Sequence, residues 1–216
     1  MRIEPFSLRG DHVELIPLSP EHAGELAEAA AVDRSTYAYT EVPEGAEGMA
    51  RYVAKLLAQR DADAAVPFAQ RRVADGRLVG CTRYMELRWW WEGSAAPAEV
   101  EVGGTWLSGS AQRGPVNTEA KWLLFSHAFE RWGVGRVALC TDVRNARSRT
   151  AIERIGARFE GILRQHRPSA VEGEAGRLRD SALYALTADD WPGARDALRE
   201  RLSPNWNERH AGPADR

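Results

Sequence analysis

One run constrains the fold more than any other. "EVEVGGTWL" (Glu99–Leu107) alternates apolar and polar residues and predicts a strand. Gly103 and Gly104 inside it predict a bulge or a close backbone approach. The loop "SGSAQRGPVNTEAK" (108–121) follows. Trp122, Phe125, Phe129 and Trp132 then recur at spacings of three and four and predict a long amphipathic helix ending near Gly133. "RVALCTDV" (Arg136–Val143) is the next strand, with Val137, Leu139, Thr141 and Val143 on one face. Strand, loop, helix and strand in succession require a sheet with helices packed on it.

The flanking segments fit that frame. "HVELIPL" (His12–Leu18) reads as a strand, and Ser19-Pro20-Glu21 starts a helix running to about Ala31. Met49, Tyr52, Val53, Leu56 and Leu57 mark a second helix over Ala46–Arg60. "VPFAQRRV" (66–73) and "LVGCTRYMEL" (78–87) form two strands joined by a turn at Asp75-Gly76. "ARSRTAIERIG" is a helix stopped by Gly156; two further strands and a final helix with Pro192 in its first turn complete the chain. The loop "PSAVEGEAG" between those two strands is expected to be mobile. The fold class is therefore α/β or α+β: one mixed sheet with flanking helices. A single domain is expected over residues 1–202, with a loose tail over 203–216.

Composition narrows the function. The formal net charge is −2, so no overall field draws the chain to nucleic acid or a membrane. No run is apolar and long enough to span a bilayer, and no export signal is apparent, so a cytoplasmic location is expected. Cys81 and Cys140 lie in strand-like surroundings and are expected as free buried thiols, with no metal site. Lys55 and Lys121 are the only lysines.

The loop 108–121 joins a strand to a helix start, where unpaired N–H groups and the helix dipole favour anions. Arg113 adds charge, and Gly114 lets the backbone approach a ligand. The alternative is an ordinary loop capped by Asn117 or Thr118. There is no G-x-x-x-x-G-K-[ST] motif and no G-x-G-x-x-G after the first strand.

Taken together, "EVEVGGTWL", "QRGPVNTEA", the amphipathic helix, "RVALCTDV" and "RNARSRTAIERIGARFEG" resemble the GCN5-related N-acetyltransferases. The branch is similar to the ribosomal-protein N-terminal acetyltransferases, and the resemblance covers about residues 8–195. It implies a mostly antiparallel sheet in which two parallel strands, 99–107 and 136–143, splay to admit the pantetheine arm of acetyl-CoA. It also implies that the backbone of Gln112, Arg113, Gly114, Val116, Asn117 and Thr118 cradles the pyrophosphate, and that Asn145 bonds the arm. Pro115 stands where the family has glycine and removes one donor.

The resemblance extends to catalysis. Many members protonate the leaving thiolate with a tyrosine seven residues after the asparagine; here that residue is Ile152. Ser148 matches the serine of the ribosomal-protein branch. Glu101, before the bulge, is the first choice for general base, with Glu99, Asp142 and His166 weaker. Cys140 has no obvious histidine partner and His127 is expected to pack, so direct attack by a primary amine in a ternary complex is expected. Trp89, Trp90 and Trp91 offer three readings: an aromatic wall for the acceptor, a homodimer contact, or one ring buried with two on the surface. The acceptor is either a protein N-terminus or a small amine. The reading from another class is a non-catalytic acyl-CoA-binding protein.

Overall fold

The computed structural model describes residues 3–203. Its centre is one eight-stranded sheet of β1 (Leu8–Arg9), β2 (Val13–Pro17), β3 (Ala65–Arg72), β4 (Leu78–Arg88), β5 (Glu99–Leu107), β6 (Arg136–Asp142), β7 (Arg158–Pro168) and β8 (Leu178–Thr187). The order across the sheet is β1-β2-β3-β4-β5-β6-β8-β7. Every neighbouring pair is antiparallel except β5 with β6. That one parallel pair is the reason a helix must cross between them.

Five α-helices cover the sheet: α1 (Ala23–Ala31), α2 (Gly45–Asp61), α3 (Pro115–Ser126), α4 (Ala146–Arg154) and α5 (Trp191–Leu202). Leu26, Met49, Tyr52, Val53 and Leu56 of α1 and α2 pack on one face, against Ile16, Ala69, Cys81 and Trp106. Leu124, Phe125, Ile152, Trp191 and Leu198 pack on the other, against Tyr84, Val100, Val137 and Tyr184. The alternation read in β5 therefore serves two layers, Val100 and Val102 facing α3 and Trp106 facing α2. The strand β1 went unseen in the sequence because two residues carry no period.

Helix α3 is longer than a regular helix would be. After Ser126 it continues in wider π-type turns over His127–Trp132 and stops at Gly133, whose φ of 67° is left-handed. His127 packs as expected, stacked on Phe6 at 4.2 Å between ring centroids. Burial and the neighbouring Arg131 push its imidazole down to about 4. Near the other end, the buried Glu119 carboxylate accepts the N–H groups of Asp11, His12 and Val13 at 2.9, 2.7 and 2.7 Å. This clasp holds the β1–β2 turn onto α3. Gly10 is required there, since a Cβ would fall 2.3 Å from the Glu119 Cδ. Of the tail expected over 203–216, all but Ser203 lies outside the described residues.

Candidate active site

The parallel pair opens after three residues. Glu99, Val100 and Glu101 pair with Arg136, Val137 and Ala138, and there the ladder stops. The cause lies on the other edge of β5. Cys81 faces Trp106 and Arg83 faces Gly103, so β5 uses three steps where β4 uses two. The extra residue is a bulge, which bends the strand and ends pairing. Gly104 adopts φ 56° there, and a Cβ on it would lie 2.6 Å from the Arg83 Cζ. The positive φ favours glycine, and a Cβ would also displace the Arg83 guanidinium.

Both strands deliver helices at the open end of this cleft. Gly114 is the N-cap of α3 and supplies no side-chain bond, so the first N–H groups of the helix have no capping acceptor. Pro115 occupies the first helical position, where its fixed φ suits the helix and its missing N–H is one of the orphans. The orphan donors that remain are on Gly114, Val116 and Asn117. Thr118 lies one step further, where the helix ladder can use its N–H. Gly114 has no atom within 4 Å of its missing Cβ, and Arg113 sits at φ 59° with its side chain exposed. Gln112 is placed differently from the rest. Its Nε2 donates to the Leu107 carbonyl (2.8 Å) and Thr36 Oγ1 (3.0 Å), its Oε1 accepts from Arg147 (2.6 Å), and its backbone N–H bonds Gly109. It braces the loop from within. Arg147, which no spacing in the sequence marks, is a basic side chain that ties the start of α4 to this loop.

At the end of β6, Asn145 caps α4: its Oδ1 accepts the Ser148 N–H at 3.0 Å. Ser148 is half-buried in the first turn, and Ile152 points into the α3-side core. Asp142 anchors Arg144 with bonds of 3.0 and 2.8 Å, and Arg144 grips Glu174 of the β7–β8 loop at 2.8 and 3.0 Å. Two guanidinium contacts and a Ser169 hydroxyl hold the Glu174 carboxyl at about 2. Arg144 also lies 5.4 Å over the Tyr39 ring. The loop expected to be mobile thus makes an ion-pair contact with Arg144 at the end of β6.

One face of the cleft is strongly charged. Glu101, 4% exposed, binds Arg167 with both oxygens, at 2.7 and 2.8 Å. Arg167 was not found from the sequence, since β7 is irregular between Leu163 and Arg167 and shows no clean alternation. Glu99 pairs with Arg136 at 3.2 Å. Contrary to the sequence reading, Cys140 does have a histidine neighbour: its Sγ lies 3.8 Å from His166 Nδ1. Burial and the Glu101 charge push the Cys140 thiol up, so it stays protonated at neutral pH. Burial and Arg167 lower His166, which favours its neutral form.

The opposite face carries a group that the sequence reading passed over. Lys121, 5% exposed on α3, donates to Thr105 Oγ1 at 2.7 Å, and that hydroxyl is 2.8 Å from Thr82 Oγ1. Burial pulls its ammonium down to about 7.

The tryptophans part company. Trp89 turns in beside Ala65, Val66 and Leu87. Trp90 and Trp91 are exposed by 61% and 68% and flank Ala98, Glu99, Gly135 and Arg136. This is the closed end of the β5–β6 pair, opposite the end where Ser148 and the loop meet. Trp89 is half-buried, and the other two rings are exposed. No group of side chains among the described residues is arranged to hold a metal ion, and no helix among them is long and apolar enough to cross a membrane.

The open cleft, the uncapped α3 N-terminus and the nearby Arg113 and Arg147 fit an extended ligand with an anionic end. Comparisons with known proteins give the family. A family model described as an acetyltransferase (GNAT) domain matches residues 12–158. A GCN5-related N-acetyltransferase structure from Brucella melitensis is 27% identical, with a TM-score of 0.81, covering 95% of this chain and 89% of that one. A structure described as an acetyltransferase from T. thermophilus is 29% identical, with a TM-score of 0.76, covering 94% and 100%. Mycobacterium smegmatis RimJ in complex with CoA-disulfide is 22% identical, with a TM-score of 0.70 and 92% coverage of both chains, and shares the fold. No curated protein matches.

Proposed function

The chain belongs to the GNAT acetyltransferase family, and from that premise we propose that it transfers an acetyl group from acetyl-CoA to a primary amine by direct attack in a ternary complex. The observation that carries this reading is the coincidence of the parted β5–β6 ladder with the uncapped N-terminus of α3. The bound cosubstrate would supply an activated thioester in that cleft. The N–H groups of Gly114, Val116 and Asn117 would receive its pyrophosphate, helped by Arg113 and Arg147. Asn145, with Oδ1 committed to the helix cap, has its Nδ2 to offer the arm.

The roles of the chain's own groups follow. Ser148 Oγ would hand a proton to the departing thiolate. Glu101 is the proposed proton acceptor for the amine, and it must loosen one bond to Arg167 to serve. His166, beside Cys140 on the same face and favoured in its neutral form, would share that task through water. An engaged Glu101 joins Pro115 and Ile152 in favouring a non-catalytic acyl-CoA-binding protein of this fold.

Calorimetry with acetyl-CoA, beside the same titration with dephosphorylated pantetheine, tests the cradle. Phosphate-dependent binding is the expected result, and none would sink the reading. Release of free thiol in the presence of a panel of amines tests turnover. Ser148→Ala is expected to lower kcat at least tenfold with acetyl-CoA affinity kept; full binding without turnover of any amine would favour the non-catalytic protein.

A further inference from the structure

We infer that the Glu101 face of the cleft holds an anionic group of the acceptor, with Arg83 and Arg179 as its ligands. The acceptor is then a small amine bearing a carboxylate or a phosphate. This rests on the acetyl-transfer reading above.

Strand geometry puts the groups together. Arg83 pairs with Gly103 and Met85 with Glu101, so these residues share one face of the β4–β5 ladder. Ala138 pairs with Ala185 and Asp142 with Ser181, which carries that face across β6 onto β8. Arg179 lies two residues before Ser181 and pairs with Arg167, the partner of Glu101. Three guanidinium groups thus line one face of the cleft.

The carboxylates there are already committed. Glu101 is held by Arg167, Asp142 by Arg144, and Glu174 by Arg144 and Ser169. Glu86 reaches only Arg167 and Arg88, at 3.5 and 3.4 Å. Arg83 and Arg179 form no ion pair among the described residues. Arg83 Nε and Nη1 and Arg179 Nε are buried without a hydrogen-bond partner. Buried N–H groups on a permanent charge are rarely left so, because losing water without gaining an acceptor is unfavourable. The Arg83 guanidinium packs over Gly104, at the point where β5 leaves β6. An arriving carboxylate or phosphate would supply the missing acceptors at the place where an amine meets the cleft.

Spacing limits the acceptor. Gly103, opposite Arg83, is two residues beyond Glu101, roughly 7 Å along a strand. An anion on Arg83 with an amine near Glu101 calls for a short molecule. The unpaired Arg83 and Arg179 charges on this face disfavour polyamines.

The test is thiol release from acetyl-CoA with matched amines: glycine, β-alanine, L-phenylalanine and O-phosphoethanolamine against ethylamine, phenethylamine and ethanolamine, with spermidine added. Within pairs, the anionic member is expected to show kcat/KM at least tenfold higher, and the amino-acid and phosphate arms tell which anion is used. Arg83→Met and Arg179→Met are expected to raise KM for the anionic member at least tenfold while acetyl-CoA affinity, read by calorimetry, is kept. Arg83→Lys should restore part of the loss. Equal use of uncharged amines, a preference that survives both variants, or no use of any anionic member by protein that binds acetyl-CoA would each overturn the inference. Failure to bind acetyl-CoA would instead sink the transferase reading. The anion site would then stand or fall on titration with inorganic phosphate, expected to bind the wild-type protein and not Arg83→Met.

Discussion

The two faces of the β5 bulge solve the same problem in opposite ways. Each takes cationic N–H groups out of water near the point where the strand turns away from β6. On the α3 face, Lys121 has a hydroxyl partner, and that hydroxyl is bonded in turn to Thr82. Burial favours the loss of its proton, so the cation on this face can give up its charge. On the Glu101 face, Arg83 cannot shed its charge and has buried N–H groups without acceptors. A lysine can titrate its way out of a dry site, whereas an arginine must be met by something. The first face is a finished structural contact; the second is built for company.

The largest expected effect separates the faces by pH. The folded Lys121 titrates near 7, below the ordinary 10.5. Between those values the unfolded chain binds the extra proton, so the Lys121 contribution to stability rises with pH over that window and is flat below it. Denaturant unfolding of wild-type protein and Lys121→Met should show the variant ahead near pH 7. The gap should change by roughly 4 kcal/mol in favour of the wild type by pH 10.5. Arg83→Met should show no such window, since arginine stays charged throughout. A gap for Lys121→Met that does not move with pH would mean that the amine remains protonated when buried.

Gly104→Ala attacks both faces through the backbone they share. A non-glycine residue at φ 56° costs about 1–3 kcal/mol, and the added Cβ meets the Arg83 guanidinium. The expected outcome is a lower unfolding midpoint together with weaker acetyl-CoA binding, because the bulge opens the cleft. Loss of stability with unchanged affinity would show that the splay does not depend on Gly104.

The same division explains what the sequence disclosed. Periodicity showed β5, β6, α2 and α3 to within a residue or two, because each presents a regular apolar face to one of the two cores. Gly103-Gly104 announced the bulge, since glycine inside an alternating strand has few other reasons to be there. Asn145 and Ser148 came from the family resemblance, and the structure puts both at the start of α4. The partners were not legible. Arg167 reaches Glu101 across 66 positions, and Lys121 reaches Thr105 from a helix whose aromatic residues drew the eye. Gln112 looked like a ligand donor by pattern and became a brace because Thr36, Leu107 and Arg147 happened to converge on it. Local rules give elements and caps; which long side chain meets which carboxylate depends on tertiary packing.

The smallest expected effect sharpens the contrast within the α3 face alone. Thr105→Val keeps the shape of the side chain and removes the hydroxyl that both Lys121 and Thr82 use. Two buried polar groups then lose their shared partner, at about 1–3 kcal/mol for groups left unsatisfied. In the double variant with Lys121→Met, only the Thr82 hydroxyl is left without its partner, so the cost of Thr105→Val should shrink. The measured coupling between the two substitutions is the strength of the Lys121–Thr105 contact in this setting. Additive effects would mean that the two groups do not act as a unit, and the α3 face would then be closed by packing rather than by its hydrogen-bond chain. Either way the Glu101 face should be untouched, with the preference among amines unchanged, because Thr105 and Arg83 project from opposite sides of the sheet.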